Sequence, residues 1–208
     1  MDLLIDGPKD ATMTLALAHG AGAPMDSDFM NAFAAGIAAS GHRVVRFEFS
    51  YMAAWREIGA KKPPSPQQKL LAEWRAVIQQ LRNTYPKSYL AIGGKSLGGR
   101  MASLIADEIN VAGLVCLGYP FHPPGRPERL RTAHLAELKS PTLIVQGVRD
   151  PFGTREEVTG YDLASSIRFH WAEDGDHNLK PRKASGRTEQ QNWEEAISAV
   201  VEFLNDLA

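Results

Sequence analysis

Apolar positions along the chain switch repeatedly between two spacings. Residues 12–18 form a short apolar run that stops at His19-Gly20-Ala21-Gly22-Ala23-Pro24, which predicts a strand. Phe29, Phe33 and Ile37 then recur at every fourth residue, and Gly41 lies beyond the last turn, as in an amphipathic helix. Residues 44–49 read as strand again. Leu70, Leu71, Trp74, Val77, Ile78 and Leu81 make a helical stripe over residues 67–84. Further strands are expected at residues 89–92, 111–117, 142–146 and 167–171. Helices are expected at 97–109, 128–138 and 154–160, and a last one is marked by Trp193, Ile197, Val200, Val201 and Leu204. Residues 3–5 suit a short edge strand closed by Asp6-Gly7-Pro8.

This alternation runs the length of the chain, the pattern of an α/β domain with a mostly parallel sheet covered on both faces. There is no internal repeat and no interdomain linker, so the 208 residues are expected to form one domain. One stretch breaks the rhythm. Residues 50–66 carry Pro63, Pro64 and Pro66 and read as a long irregular loop containing Tyr51, Met52 and Trp55. It leaves the C-terminal end of a strand, where open parallel sheets keep their binding crevices.

Composition narrows the classes. With 23 basic and 24 acidic residues the formal charge is -1, which favours neither nucleic acid nor an anionic membrane as a partner. Cys116 is the single cysteine and cannot form an internal disulfide; its apolar run suggests a small buried hydrophobe. No apolar stretch is long enough to span a bilayer, and the N-terminal residues carry acids where a signal peptide has bases, so the expected location is cytoplasmic. No metal-ligand spacing and no cofactor fingerprint is present, so chemistry without either is expected.

The chemistry centres on Gly94-Lys95-Ser96-Leu97-Gly98, a Gly-x-Ser-x-Gly sequence between an apolar strand and an apolar-periodic helix. In that context it reads as a nucleophile elbow, a sharp turn that presents its serine at the top of a sheet. A phosphate-binding P-loop is excluded, because Tyr89 stands where its first glycine is needed and the strand runs almost to Lys95. The competing structural role for Ser96 is to cap the helix. A serine nucleophile needs a base, and the base an orienting acid, in the chain order Ser, Asp or Glu, His. Asp150 follows a strand in a turn defined by Pro151 and Gly153. His177 follows the last strand, at the tip of Glu173-Asp174-Gly175-Asp176-His177-Asn178. His170 lies inside a strand, and His122 precedes the acid. The oxyanion would be met by the backbone N–H of Leu97 and by a donor from the glycine-rich 19–22 loop, with Ala21 N–H the first choice and its neighbours open. His19 is expected to tie that loop.

These residues resemble the α/β-hydrolase superfamily over nearly the whole chain. More narrowly the chain is similar to the dienelactone-hydrolase-like group, within it the small branch of testis-expressed hydrolase-like proteins and a related chromatin-complex subunit. The narrower match rests on His19-Gly20-Ala21-Gly22-Ala23, Phe49-Ser50-Tyr51-Met52, Gly94 to Arg100, Gly118 to Gly125, Gln146 to Gly153 and Gly175-Asp176-His177. The resemblance implies a three-layer α/β-hydrolase fold and a triad of Ser96, Asp150 and His177. Dienelactone hydrolases proper use a cysteine nucleophile where Ser96 stands, so their substrate does not carry over. The branch also contains scaffold subunits, which makes a binding module the alternative to a hydrolase. Residues 119–141 leave room for only a Pro-rich loop and a short helix, so no large lid is expected, and an open cleft suits a small soluble ester or thioester. Gly20, Tyr51, Met52, Trp55, Tyr119 and His122 are the substrate-contact candidates. Arg126, Arg129, Arg131, Lys180, Arg182, Lys183 and Arg187 either select an anionic acyl group or are solvated surface charges.

Overall fold

Seven strands are drawn from the expected runs: β1 (Leu3–Asp6), β2 (Met13–Ala18), β3 (Arg43–Phe47), β4 (Tyr89–Lys95), β5 (Gly113–Leu117), β6 (Thr142–Gly147) and β7 (Ile167–Ala172). The computed structural model describes residues 2–207. The strands join into one sheet in the order β1-β3-β2-β4-β5-β6-β7. Only β1 runs antiparallel, against β3; the other pairs are parallel.

Side-chain alternation assigns the two faces. Met13, Leu15 and Leu17 of β2 join Val115, Leu117, Leu143 and Val145 in one apolar layer, covered by α1 (Asp28–Ala39) and α7 (Glu189–Asn205). Ala16 and Ala18 face the other way, into a layer with Val45, Phe47, Cys116 and Ile144. That layer is covered by α2 (Ser50–Ile58), α3 (Gln67–Thr84) and α4 (Leu97–Ser103). The result is helix, sheet, helix. Burial pushes the Cys116 thiol far above its ordinary pKa, so it is held as a neutral apolar side chain. No helix among the described residues is long and apolar enough to cross a membrane.

Topology places the functional end. Strand β2 is followed in the chain by β3 on one side of it and flanked by β4 on the other, so the connections leaving β2 and β4 diverge. Their C-terminal ends stand side by side, with Ala18 opposite Gly94. A crevice opens at such a switch point, and the 19–22 loop and Ser96 both lie there.

Four expectations are corrected. Residues 50–66 are not one irregular loop: Ser50–Ile58 is helical, and Gly59 at φ 65 closes it. Glu73 of α3 holds that start, accepting from the Ser50 amide at 3.0 Å and its hydroxyl at 2.6 Å, while Tyr51 and Met52 are buried. The 97–109 helix is broken between α4 and α5 (Ala106–Ile109). There the Ser103 hydroxyl donates to the Arg100 carbonyl at 2.8 Å, competing with the helical amide. The 128–138 helix is reduced to a 3₁₀ turn at Ala133–Leu135, because the Arg131 amide bonds across to the Phe121 carbonyl at 2.7 Å rather than within a helix. The helix expected at 154–160 is a single turn, α6 (Arg155–Val158), closed by a capping box between Thr154 and Glu157.

Candidate active site

Ser96 sits where β4 turns into α4, with φ 50 and ψ -110, a backbone conformation that costs a non-glycine residue energy. Packing enforces it. The Ser96 amide donates to the Leu117 carbonyl of β5 at 3.0 Å. A Cβ on Gly98 would lie 2.4 Å from the Ala18 carbonyl oxygen and 2.7 Å from that of His19, so α4 packs directly on the backbone leaving β2. Ser96 occupies the position before α4, yet its side chain makes no cap hydrogen bond. That removes the structural role set against a chemical one. Among the described residues the hydroxyl has no hydrogen-bond partner, His177 included.

Asp150 is fully buried in the turn after β6. Its carboxylate receives three donors. Phe152 N–H reaches Oδ1 at 2.9 Å, Gln146 Nε2 reaches Oδ2 at 3.0 Å, and His177 Nδ1 reaches Oδ2 at 2.7 Å. Gln146 is fixed in turn by accepting from the Tyr119 amide at 2.7 Å and donating to the Tyr119 and Gly153 carbonyls. With Nδ1–H given to Asp150, the Nε2 of His177 is left as an acceptor.

The loop bearing His177 is tied at several points. Asp174 at φ 50 accepts from the Arg182 amide at 2.7 Å and guanidinium Nε at 2.9 Å. Asp176, the neighbouring carboxylate, accepts from the Asn178 and Lys180 amides at 2.8 and 3.0 Å. It therefore folds the loop, while Asp150 takes the ring. Trp193 of α7 donates to the Asn178 carbonyl at 3.0 Å. The Phe152 ring lies against the imidazole, centroids 4.3 Å apart. Burial lowers the His177 pKa below the ordinary histidine value, outweighing the hydrogen bond to Asp150, and the nearby Lys95 charge acts in the same direction as burial.

The 19–22 loop is braced from behind. Buried His19 accepts from the Phe49 amide at 3.0 Å through Nε2, so its Nδ1–H donates to the Gly20 carbonyl at 2.6 Å. Burial lowers its pKa, which suits a neutral tie rather than a proton carrier. The Tyr51 hydroxyl donates to the Gly20 and Ala21 carbonyls, each at 3.3 Å. Gly20 faces the serine: a Cβ there would stand 3.8 Å from Ser96 Cβ. Ala21 is exposed at the loop tip.

Several contact candidates are placed in the interior. Met52 is buried in the α2–α3 layer and Trp55 is half-buried against it. Tyr119 is fully buried, its hydroxyl donating to the Arg131 carbonyl at 3.0 Å. His122 is buried with Nδ1 on the Pro123 carbonyl at 2.9 Å and Nε2 3.5 Å from Glu157. His170 remains in β7, beside Glu195 and Arg187. Of the expected surface charges, Arg182 pairs with Asp174 and Arg187 with Glu195. Among the surface cavities, five of roughly 360 to 670 Å³ are lined by none of Ser96, Asp150 and His177. Cavity size and site chemistry disagree here. The hydrogen-bonded carboxylate–imidazole pair, its loop tied to Lys95 next to a strained serine, is the more specific signal, because any irregular surface has clefts.

Sequence reasoning missed three supporting residues. Gln146 reads only as the end of a strand, and Phe152 as part of a turn. Lys95 reads as the variable position of the elbow, yet it is buried and its ammonium donates to the backbone carbonyl of His177. A lysine inside an otherwise apolar strand is the signal that was available.

The sequence profile of the α/β hydrolase domain family matches residues 11–205. The chain belongs to that family. Among solved structures it resembles an α/β serine hydrolase homologue from Coxiella burnetii, with TM-score 0.75 and 19% identity, covering 97% of this chain and 90% of that one. It also resembles an α/β serine hydrolase without a lid from Xanthomonas campestris (TM-score 0.70, 17% identity, coverage 99% and 88%). A third is the esterase domain of a Rhodothermus marinus protein (TM-score 0.68, 15% identity, coverage 96% and 90%). At these identities the likeness establishes a shared fold.

Proposed function

We propose that the protein is a serine hydrolase acting on a small soluble ester or thioester by acyl transfer. The observation that carries this reading is the 2.7 Å bond between His177 Nδ1 and Asp150 Oδ2, in a loop tied through the His177 carbonyl to Lys95, the residue before a serine in a strained elbow. Ser96 Oγ attacks the carbonyl carbon while His177 Nε2 accepts its proton. The oxyanion is received by the Leu97 N–H and a second amide of the 19–22 loop, for which Ala21 is our choice. Collapse of the tetrahedral intermediate breaks the bond to the leaving group, which takes the proton from His177. Water, activated by the same imidazole, then hydrolyses the acyl-serine. The unbonded Ser96 hydroxyl fits a site whose hydrogen bonds tighten once substrate is present. Residues 119–141 build no lid domain, which favours substrates dissolved in water over those in a lipid interface. The resemblance to the dienelactone-hydrolase-like branch belongs to this proposal; the cysteine chemistry of that group does not.

The unbonded hydroxyl favours a second reading, a binding module with the fold and little turnover. Hydrolysis of a panel of short-chain nitrophenyl esters and thioesters separates the two. The hydrolase reading expects saturable turnover that Ser96→Ala abolishes. It also expects kcat/KM to rise with pH to a plateau, with the acidic limb below the ordinary histidine pKa, because burial disfavours the protonated ring. Turnover no faster than buffer hydrolysis across the panel would favour the binding module.

A further inference from the structure

Lys95 is chemically out of place. It belongs to a strand whose other residues from Leu90 to Gly94 are apolar or glycine, and it is only 8% exposed. Burying an ammonium is unfavourable unless it is well partnered, and an apolar side chain of its length would avoid that cost. The structure shows how it is accommodated. Its Nζ donates to the His177 carbonyl and stands 5.3 Å from the centre of the Phe29 ring of α1. Gly118, at the end of β5, leaves the space: a Cβ there would be 2.7 Å from Nζ and 3.3 Å from Cε1 of the His177 ring. The ammonium and the imidazole therefore share one small volume beneath the reaction site. Lys95 also precedes Ser96 directly, and its stem passes Gly20, where a Cβ would be 3.5 Å from Cγ. One side chain thus touches the backbone of the base loop, the oxyanion loop and the nucleophile's strand.

We propose that Lys95 is a positioning residue for the base: its buried ammonium ties the His177 carbonyl to the strand that carries Ser96 and holds positive charge beneath the imidazole. The tie fixes the height of the ring over the serine. The charge opposes protonation of the resting ring, so the base stays neutral and ready to accept the Ser96 proton. The charged groups around the pair are few. Asp150, from the turn after β6, and Asp176, from the base loop, act on both His177 and Lys95, and each favours the protonated form. Lys95 counters them at His177. Its own pKa is brought down to about 8 by burial, against the pull of the two carboxylates, so near neutral pH it remains charged and acts on the ring.

The role rests on the hydrolase reading, but its first test does not need turnover. The His177 Cε1–H signal, assigned by its loss in His177→Gln, is titrated by NMR in the wild type, Lys95→Met and Lys95→Gln. Wild type should show the imidazole transition and a second, smaller inflection near pH 8 as Lys95 loses its proton. Both variants should lose the second inflection and titrate His177 at higher pH. In ester hydrolysis Lys95→Met should lower kcat about 10- to 100-fold, with KM changed less than about threefold, because a misplaced base affects the chemical step. Its acidic limb should move upward with the NMR titration. Lys95→Gln keeps a donor without the charge, so it should recover part of kcat and leave the limb high. A His177 titration identical in all three proteins, with no inflection near pH 8, overturns the proposal. Should a variant fail to fold, the wild-type inflection alone decides. A shifted titration in a protein that turns over no ester would leave the Lys95 role standing and remove the hydrolase reading.

Discussion

Asp150→Asn is expected to lower kcat by about 10³ to 10⁴ with the fold intact. The carboxylate takes Nδ1–H of His177 on the same oxygen that Gln146 holds at 3.0 Å. An amide of the same shape must turn its NH2 either onto the Gln146 and His177 donors or onto the Phe152 N–H, so a donor meets a donor in either orientation. The cheapest relief is for the ring to move its proton to Nε2, the nitrogen that must be free to accept from Ser96. Asp150 also stabilises the imidazolium that forms during attack, and the amide carries no charge to do so. His177→Ala should cost as much or more. Adding it to Ser96→Ala should cost little further, since the three act as one unit. Two substitutions give the comparison its edge. Asp176→Asn removes acceptors for two loop amides but leaves the ring bond alone, and His170→Ala changes a residue of β7 that has no hydrogen-bonded acid. Both should change kcat only modestly. Steady-state kinetics on the most reactive ester checks all of them. Loss of activity in Asp176→Asn with Asp150→Asn unaffected would place the acid elsewhere.

Gly98→Ala should be strongly damaging to both fold and site. The added Cβ would stand 2.4 Å from the Ala18 oxygen, with the His19 oxygen at 2.7 Å, and both are backbone atoms with no rotamer to change. Relief requires α4 to lift from β2, which moves the Ser96 elbow and the loop braced by His19 together. Overpacking of this kind costs about 1 to 3 kcal/mol where side chains can yield; against backbone, roughly 3 kcal/mol or more is expected, with activity lost in whatever folds. Gly22→Ala is the matched control, since nothing lies within 4 Å of its Cβ. It should stay within about 0.5 kcal/mol of the parent. Urea unfolding of the three proteins measures both.

The sheet and its crevice were legible because period-2 and period-3.6 patterns are written locally. The apolar runs at 12–18, 89–92 and 111–117 become β2, β4 and β5 with small changes at their ends. Ser96, Asp150 and His177 could be singled out because each follows a strand at a turn rich in glycine or proline. What failed depended on partners distant in sequence. Ser50–Ile58 is too short to show a helical stripe, and the prolines behind it coloured the whole stretch; its start is set by Glu73, 23 residues away. The 128–138 region has helical spacing, but the Arg131 amide is drawn out to the Phe121 carbonyl. Tyr119 and Met52 were read as contact residues because both lie near strand ends, yet aromatic and sulfur side chains there were used to fill the core. The role of Lys95 depends on a carbonyl 82 residues further along, which no local pattern records.

The central claim is that Ser96 is an activated nucleophile. Its most direct test is intact-mass measurement after exposure to a fluorophosphonate, which transfers its phosphonyl group to the serine oxygen with loss of fluoride. The account predicts one adduct per chain, mapped by peptide digestion to Ser96, absent in Ser96→Ala and strongly slowed in His177→Ala. A folded wild-type protein that stays unmodified under conditions that label a known serine esterase, or an adduct that persists in Ser96→Ala, would contradict it.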